Sequence, residues 1–227
     1  MPARSVRASI EFYAKLGFSL AEVGETRRHP YAVATDGRLC LGLHGIEDLE
    51  PTMSFVRPQL LAHLDQYEAL GVEFELRRLG NDVFNEIGWR DPGGNAIRLV
   101  EARTFSPSQG PAGGGVECGY FREIALPAID VGASKAHWED IGFVAIEEDG
   151  PFGPYASCTS DTVNVGLYDP RRISRSTLIF EAEDLERTAA ALAKNDVAAS
   201  ADSIDGRLCG LRFTAPEGTP FLISPAV

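Results

Sequence analysis

The chain has 227 residues, of which 44% are hydrophobic and 24% charged, a balance typical of a folded globular protein rather than a disordered one. Its formal net charge of −12 argues against general nucleic-acid binding and against docking on anionic membranes. Because no apolar run approaches the roughly 18 residues of a membrane span, no signal peptide opens the chain and its four cysteines form no CxxC pair, we expect a cytoplasmic protein with reduced thiols.

The first half begins with an amphipathic helix predicted at 5–16. Its apolar residues Val6, Ile10, Tyr13 and Leu16 recur at helical spacing, and Gly17 follows as a stop. A second helix is predicted at 59–70, directly after Pro58, whose missing N–H costs nothing at a helix start. Each helix is followed by short runs that predict strands, at 31–35 and 38–44 and then at 84–89 and 95–101.

The second half shows the same order of elements. Helices are predicted at 131–140 and 185–195, and strands at 120–126, 154–159, 162–168, 177–182, 208–214 and 219–224. Between the halves, the stretch Thr104–Gly115 is rich in Ser, Pro and Gly, which predicts a linker or an exposed loop.

An internal repeat relates the two halves. Pro2-Ala3-x-x-Val6-x-Ala8-Ser9 recurs as Pro127-Ala128-x-x-Val131-x-Ala133-Ser134, and Leu16-Gly17-Phe18 recurs as Ile141-Gly142-Phe143. Further matches follow in the same order, among them Tyr31 with Tyr155, Gly42 with Gly166 and Pro92 with Pro216. Matches in one order over about a hundred residues predict a duplicated unit.

Two motifs carry a resemblance to a known superfamily. Phe12-Tyr13-x-x-Leu16-Gly17-Phe18 and Asp91-Pro92-Gly93-Gly94-Asn95 resemble the helix end and the final turn of the vicinal oxygen chelate superfamily, which includes glyoxalases, bleomycin resistance proteins and extradiol dioxygenases. The resemblance implies an α+β fold of four tandem βαβββ modules, forming two half-open, curled mixed sheets with helices outside. It predicts glyoxalase-like domains at 1–102 and 119–227, joined by a linker at 103–118.

The resemblance also implies where a metal would be held. Metal-dependent members bind a divalent ion through His and Glu or Gln on the first and last strands of their modules. Those positions fall here at Gly42, Thr52, Arg98, Glu123, Gly166, Thr177 and Leu222. Among these, Glu123 is the one good ligand, although Glu101 lies near Arg98 and a shifted alignment would bring it closer. We therefore predict no metal and no cofactor.

The histidines offer one candidate for catalysis. His29 is expected in a solvated loop, and His63 and His137 on helices outside the sheets. His44 lies two residues beyond Gly42 on a predicted strand, so it shares the face of Gly42. His44 and Glu123 are accordingly the candidate catalytic residues, the alternative for His44 being a hydrogen-bonded histidine at a strand end.

Arg98 is the main candidate for ligand binding. It shares a strand face with Ala96 and Val100, and a guanidinium in place of the acid of the superfamily favours a carboxylate, phosphate or phenolate. The alternative is a structural ion pair with Glu86. Further candidate lining residues are Thr52, Thr177 and the aromatic residues Tyr31, Phe55, Phe84, Trp89 and Tyr155, each of which the core could equally use.

Three functions remain open at this point. The first is metal-free binding of a small planar molecule such as an antibiotic or a polyketide. The second is metal-independent catalysis through Glu123, His44 or Arg98, as in a lyase, an isomerase or a hydrolase. The third is a metal-dependent lyase or dioxygenase with displaced ligands. The expected partner is a small molecule, and the chain is expected to be a monomer with internal pseudo-symmetry or a homodimer.

The repeat has one asymmetry. A predicted strand at 119–126 leads into Pro127, whereas the equivalent Pro2 is the second residue of the sequence. We expect either that the true start lies upstream or that the first sheet has an open edge that another segment or chain covers.

Overall fold

A computed structural model describes residues 1–23, 28–102, 116–150 and 153–226; the predicted linker at 104–115 lies outside them. The first half contains α1 (Val6–Lys15), β1 (Ser19–Leu20), β2 (Tyr31–Thr35), β3 (Cys40–His44), β4 (Thr52–Val56), α2 (Leu64–Ala69), β5 (Leu76–Arg78), β6 (Glu86–Arg90) and β7 (Ala96–Val100). The second half contains β8 (Tyr120–Pro127), α3 (Val131–Asp140), β9 (Val144–Gly150), β10 (Gly153–Thr159), β11 (Asn164–Tyr168), β12 (Thr177–Ala182), α4 (Leu185–Lys194), β13 (Ser200–Ile204), β14 (Arg207–Thr214) and β15 (Pro220–Pro225).

Three of the four helices begin at a side chain that caps them. Ser5, Asp130 and Asp184 each accept a hydrogen bond from the backbone N–H three residues later, which satisfies an otherwise unpaired donor of the first turn. α2 is shorter than predicted. Gln59 adopts a left-handed conformation with φ 54°, and a 3₁₀ turn at Leu60–His63 precedes the α-helix. The carboxylate of Glu101 accepts the Leu60 N–H at 3.0 Å, which fixes this turn.

The chain divides into two compact units. Unit one consists of Met1–Leu49, Pro107–Ile124 and Ser176–Val227, and unit two consists of Glu50–Ser106 and Ala125–Arg175. Each unit therefore takes one module from each half of the sequence. The predicted domain boundaries follow the halves instead, and they stay a prediction.

The sheets repeat one module pattern. β1-β2-β3 form a three-stranded antiparallel sheet in unit one, and β4-β7-β6-β5 form a four-stranded sheet in unit two, in which β4 and β7 are parallel. β8 begins in unit one and ends in unit two. In unit one the strand order is β13-β14-β15-β12-β8, and in unit two it is β8-β11-β10-β9. The predicted α+β class with curled, unclosed mixed sheets is confirmed. No described helix is long and apolar enough to cross a membrane.

The core of unit one is built from both halves. Its buried residues include Leu16 and Phe18 from the first half and Phe180, Phe213 and Phe221 from the second. Above this core, a carboxylate from the turn before β15 docks onto α1. Glu217 accepts hydrogen bonds from Tyr13 Oη at 2.5 Å and Ser9 Oγ at 2.7 Å.

Unit two has an equivalent contact at the repeated positions. Trp138 of α3 aligns with Tyr13 in the repeat, and its indole Nε1–H donates to Asp91 at 3.3 Å. Asp91 lies in the turn before β7, where Asn95 donates to it from both its backbone and its side chain. In both units, therefore, a helix of one half fixes the last hairpin of the other half.

The first residues of the sequence pair with the end of β3. Pro2 forms an isolated parallel bridge with His44, and the Ala3 N–H donates to the His44 carbonyl at 2.7 Å, as Ala128 does to Tyr168 at 2.8 Å. Among the described residues, β3 has β2 as its one strand neighbour, so an open edge is present where the repeat predicts it.

Candidate functional site

Arg98 lies in a row that crosses all four strands of the unit-two sheet. The strand registers align Ser54 of β4, Arg98 of β7, Gly88 of β6 and Leu76 of β5. The next row contains Val56, Val100, Glu86 and Arg78, and the row on the other side contains Thr52, Ala96 and Arg90. We call this side of the sheet the arginine face.

Two guanidinium groups on the arginine face share one carboxylate. Arg98 Nη1 lies 3.5 Å from Glu86 Oε2, and Arg78 Nη1 lies 3.6 Å from Glu86 Oε1. Both separations exceed a good charge-assisted hydrogen bond. The Arg98 side chain is 33% exposed and that of Glu86 is 17% exposed. The predicted ion pair of Arg98 with Glu86 is thus present but loose, and the three groups carry a net charge of about +1.

Arg90, at the end of β6, is engaged more fully. Its guanidinium donates to Glu50 at 2.7 Å, to Glu75 at 3.0 Å and to the Gly94 carbonyl at 2.9 Å. Because two carboxylates surround Arg90, these three groups carry a net charge of about −1, and the positive charge on the arginine face is confined to Arg98 and Arg78.

Two predicted lining residues lie on the opposite side of this sheet. Trp89 packs against Tyr67 of α2 and donates its Nε1–H to His137 of α3 at 3.0 Å. Phe55 contacts Trp138 and Phe143, with ring centroids 6.4 and 6.0 Å apart. Both therefore belong to the helix-packed core, and strand alternation keeps them off the face of Arg98. A role of Trp89 and Phe55 in lining a ligand site stays a prediction.

Two other aromatic candidates, Phe84 and Tyr155, differ in how far they are buried. Phe84 precedes β6 and is exposed. Tyr155 is buried, stacks on Tyr168 with centroids 4.7 Å apart, and donates its hydroxyl to Glu148 at 2.7 Å. Tyr155 thus forms part of a packed pair on the unit-two sheet, and a role of Phe84 or Tyr155 in lining a ligand site stays a prediction.

A second polar cluster lies in unit one, around His44. His44 and Tyr31 are directly opposed on β3 and β2, with ring centroids 4.6 Å apart. His29 Nε2 lies 3.0 Å from His44 Nδ1, so His29 is not the isolated surface residue expected from the sequence. A methyl group at Gly42 would lie 3.5 Å from His44 Nε2 and 3.6 Å from Tyr31 Oη. The glycine therefore leaves a small space between these two polar atoms.

The positions implied for a metal do not hold a suitable set of ligands. Glu123 on β8 and Thr177 on β12 are buried, and Leu222 on β15 is a buried apolar residue beside Ile179. Gly42 and Gly166 offer no side chain. Within the described ranges, no three His, Cys, Asp or Glu side chains are grouped so that they could hold a metal ion. This donor set does not fit a catalytic divalent cation, which needs several oxygen or imidazole ligands.

The remaining histidines have structural contacts. His137 accepts the Trp89 N–H, and its burial lowers its pKa below the usual histidine value. His63 lies 3.4 Å from Arg57 and belongs to the 3₁₀ turn before α2. Sequence reasoning did not identify Arg78, Ser54 or Leu76 as neighbours of Arg98, because β5 was not predicted and the strand registers are tertiary information.

Comparison with known proteins supports the fold. No family model and no curated relative matches the chain. A catechol 2,3-dioxygenase has a TM-score of 0.66 at 15% identity, over 99% of this chain and 85% of the neighbour. The 2,3-dioxygenase LapB from Pseudomonas sp. KL28 gives 0.62 at 15% identity, over 99% and 89%. An extradiol ring-cleaving dioxygenase from B. fuscum gives 0.64 at 17% identity, over 98% and 69%.

These neighbours are extradiol dioxygenases of the vicinal oxygen chelate superfamily. At such low identity the likeness concerns the fold alone. The predicted resemblance to this superfamily is thus confirmed at the level of the fold, and function has to be argued from the residues.

Proposed function

We propose that this protein binds a small planar organic molecule, resembling an aromatic antibiotic or a polyketide, without a metal ion. The observation that carries the proposal is the residue set at the implied metal positions. Threonine, leucine, glycine and arginine stand there beside the single carboxylate of Glu123, so a metal-dependent reaction lacks its ligands, whereas the sheet faces of the fold are retained.

The structural neighbours agree with a planar ligand. They are named for catechol and related substrates, and catechol is a flat ring with two oxygens. A sheet face with a few polar groups suits such a molecule, because the ring covers apolar side chains while the oxygens reach hydrogen-bonding partners. Leu76, Val56 and Val100 supply apolar surface on the arginine face, next to Arg98 and Ser54.

A thermal-shift screen tests this proposal. The protein would be melted with aromatic antibiotics, polyketide-like phenols and 2-oxo acids, in the presence of EDTA and again with added divalent ions. A ligand at a hundred times its Kd stabilises the folded state by about 2.7 kcal/mol, which raises the Tm of a chain of this length by roughly 5–10 °C. A shift that EDTA abolishes, or no shift with any compound, contradicts metal-free binding.

A second function, metal-independent acid–base catalysis, is favoured by the contact between His29 and His44. The contact of His44 Nδ1 with His29 holds the imidazole in place, and Nε2 then lies beside the space over Gly42 and Tyr31 Oη. Proton exchange at the carbon next to the carbonyl of pyruvate, followed by NMR in D2O, tests this. Exchange that His44→Gln leaves unchanged rules out this role.

A further inference from the structure

We propose that the arginine face is an anion-binding site for a small aromatic carboxylate or phenolate. The inference rests on the proposed function and narrows it, because it assigns both the place of binding and the charge of the ligand. The ligand oxygens would be held by Arg98 and Arg78, and its ring would lie over the row of Ser54, Gly88 and Leu76.

The proposal rests first on the loose ion pairs that Arg98 and Arg78 form with Glu86. Among the residues that the structure describes, Arg98 and Arg78 have no hydrogen-bond acceptor, and each reaches one oxygen of Glu86 at 3.5 or 3.6 Å. A guanidinium has five N–H donors, so most donors of both groups remain for a ligand. Planar guanidinium groups pair bidentately with carboxylates, which is stronger and more selective than contact with a point charge.

The apolar part of the proposed site lies at Gly88 and Leu76 in the central row. Gly88 lies directly beside Arg98 across β6 and β7, and it presents no side chain. A methyl group at this position would lie 3.2 Å from the Ile97 carbonyl and 3.3 Å from Leu76 Cβ, a tight contact. Gly88 is therefore buried against Leu76, and the half-buried side chain of Leu76, in the same row as Arg98, supplies the apolar surface on which a flat ring would lie.

The proposal rests also on the net charge of Arg98, Arg78 and Glu86. Glu86 is the one acidic partner of Arg98 and Arg78 among the described residues, so these three groups together carry about one positive charge. A monoanion held between Arg98 and Arg78 would neutralise that local charge. Glu86 also competes with the ligand for both guanidinium groups, so removal of its carboxylate should strengthen anion binding.

Benzoate titrations test the site. Binding of benzoate and of its neutral analogue benzamide to the full chain would be followed through the arginine Nε–H signals in 1H–15N NMR spectra. We expect benzoate to bind more tightly than benzamide. Arg98→Met should weaken benzoate by at least about tenfold, the loss expected for one charge-assisted contact, and Arg98→Lys should weaken it less.

Glu86→Gln separates a ligand site from a structural ion pair. If the arginine face binds anions, removal of the competing carboxylate strengthens benzoate binding. If the arginines serve the fold alone, the variant lowers the Tm and leaves benzoate unaffected, which overturns the inference. Arg7→Met is the matched control for Arg98→Met, and Glu11→Gln is the matched control for Glu86→Gln, because Arg7 and Glu11 form an exposed ion pair on α1 and undergo the same charge changes.

The outcomes also separate this inference from the wider proposal. If a neutral planar compound raises the Tm and benzoate binds no better than benzamide, the arginine-face assignment is wrong while metal-free binding stands. If benzoate binds equally well to Arg98→Met and the wild type at unchanged Tm, the site lies elsewhere. If every compound needs a divalent ion to bind, the proposed function fails and this inference fails with it.

Discussion

Replacing Tyr13 by phenylalanine should cost the fold a measurable amount, because this hydroxyl links the two halves of the chain. Tyr13 is 1% exposed, and its Oη donates to the Glu217 carboxylate at 2.5 Å. A hydrogen bond to a charged group contributes about 1.5–3 kcal/mol. Tyr13→Phe should therefore lower the free energy of unfolding by about that amount, and the Tm by roughly 3–12 °C.

Urea unfolding measures this loss. The midpoint should fall while the slope of the transition stays constant, since the folded and unfolded states expose similar areas in both proteins. Tyr120→Phe is the control, because Tyr120 is 58% exposed, and it should change stability by less than about 0.5 kcal/mol. If Tyr13→Phe also stays within that limit, the contact with Glu217 is not a stabilising link.

The same residue predicts a dependence on alkaline pH. Burial and the neighbouring Glu217 raise the pKa of Tyr13 far above its usual value. A raised folded-state pKa gives stability that is complete below the unfolded pKa of about 10 and is lost as the pH rises beyond it. The wild type should lose up to about 1.4 kcal/mol per pH unit there through this group. Tyr13→Phe should lack this component.

Three further results are expected. Gly93→Ala should lower the free energy of unfolding by about 1–3 kcal/mol, because the new methyl would overlap the Pro127 carbonyl oxygen. Gly132→Ala in α3 is the control, and an equal loss of stability in both variants would contradict this reasoning. Burial lowers the pKa of His137, so the stability that its neutral form contributes is present above a pH of about 6.5 and lost as the pH falls; urea midpoints should show this loss in the wild type and not in His137→Gln. Cleavage at a protease site inserted between residues 102 and 116 should leave the two halves associated in gel filtration, because each unit takes residues from both; separate elution would show that the halves are independent domains.

The sequence predicted the modules better than their arrangement. Repeated motifs and helical spacing located α1, α3 and α4 to within a residue or two, because these helices have caps and stops encoded locally. The predicted strands did not include β1, β4, β5, β9 or β13, most of which are short or lack a clear alternation of apolar residues. The pairing of modules across the halves was not predicted, since it depends on contacts between residues about two hundred positions apart.

The candidate site shows the same limit. Alternation along β7 predicts that Arg98 shares a face with Ala96 and Val100, in agreement with the strand registers, yet it does not say which face a helix covers. That depends on Tyr67 and His137, which contact Trp89 from α2 and α3. The sequence allows two roles for Arg98, ligand binding or an ion pair with Glu86. The participation of Arg78, by contrast, could not be predicted, because it depends on the register of β5 with β6.

The contact of α1 with the hairpin before β15 has a consequence for synthesis. Tyr13 and its acceptor Glu217 are 204 residues apart, and Glu217 lies ten residues before the end of the sequence. At a translation rate of about 5–20 residues per second, α1 leaves the ribosome roughly ten seconds or more before its partner exists. During that interval the apolar face of α1 that later packs on Phe213 and Phe221 has no native cover. Nascent chains should therefore depend on chaperones until the segment around Glu217 has been synthesised, and ribosome profiling of chaperone-bound chains would show it.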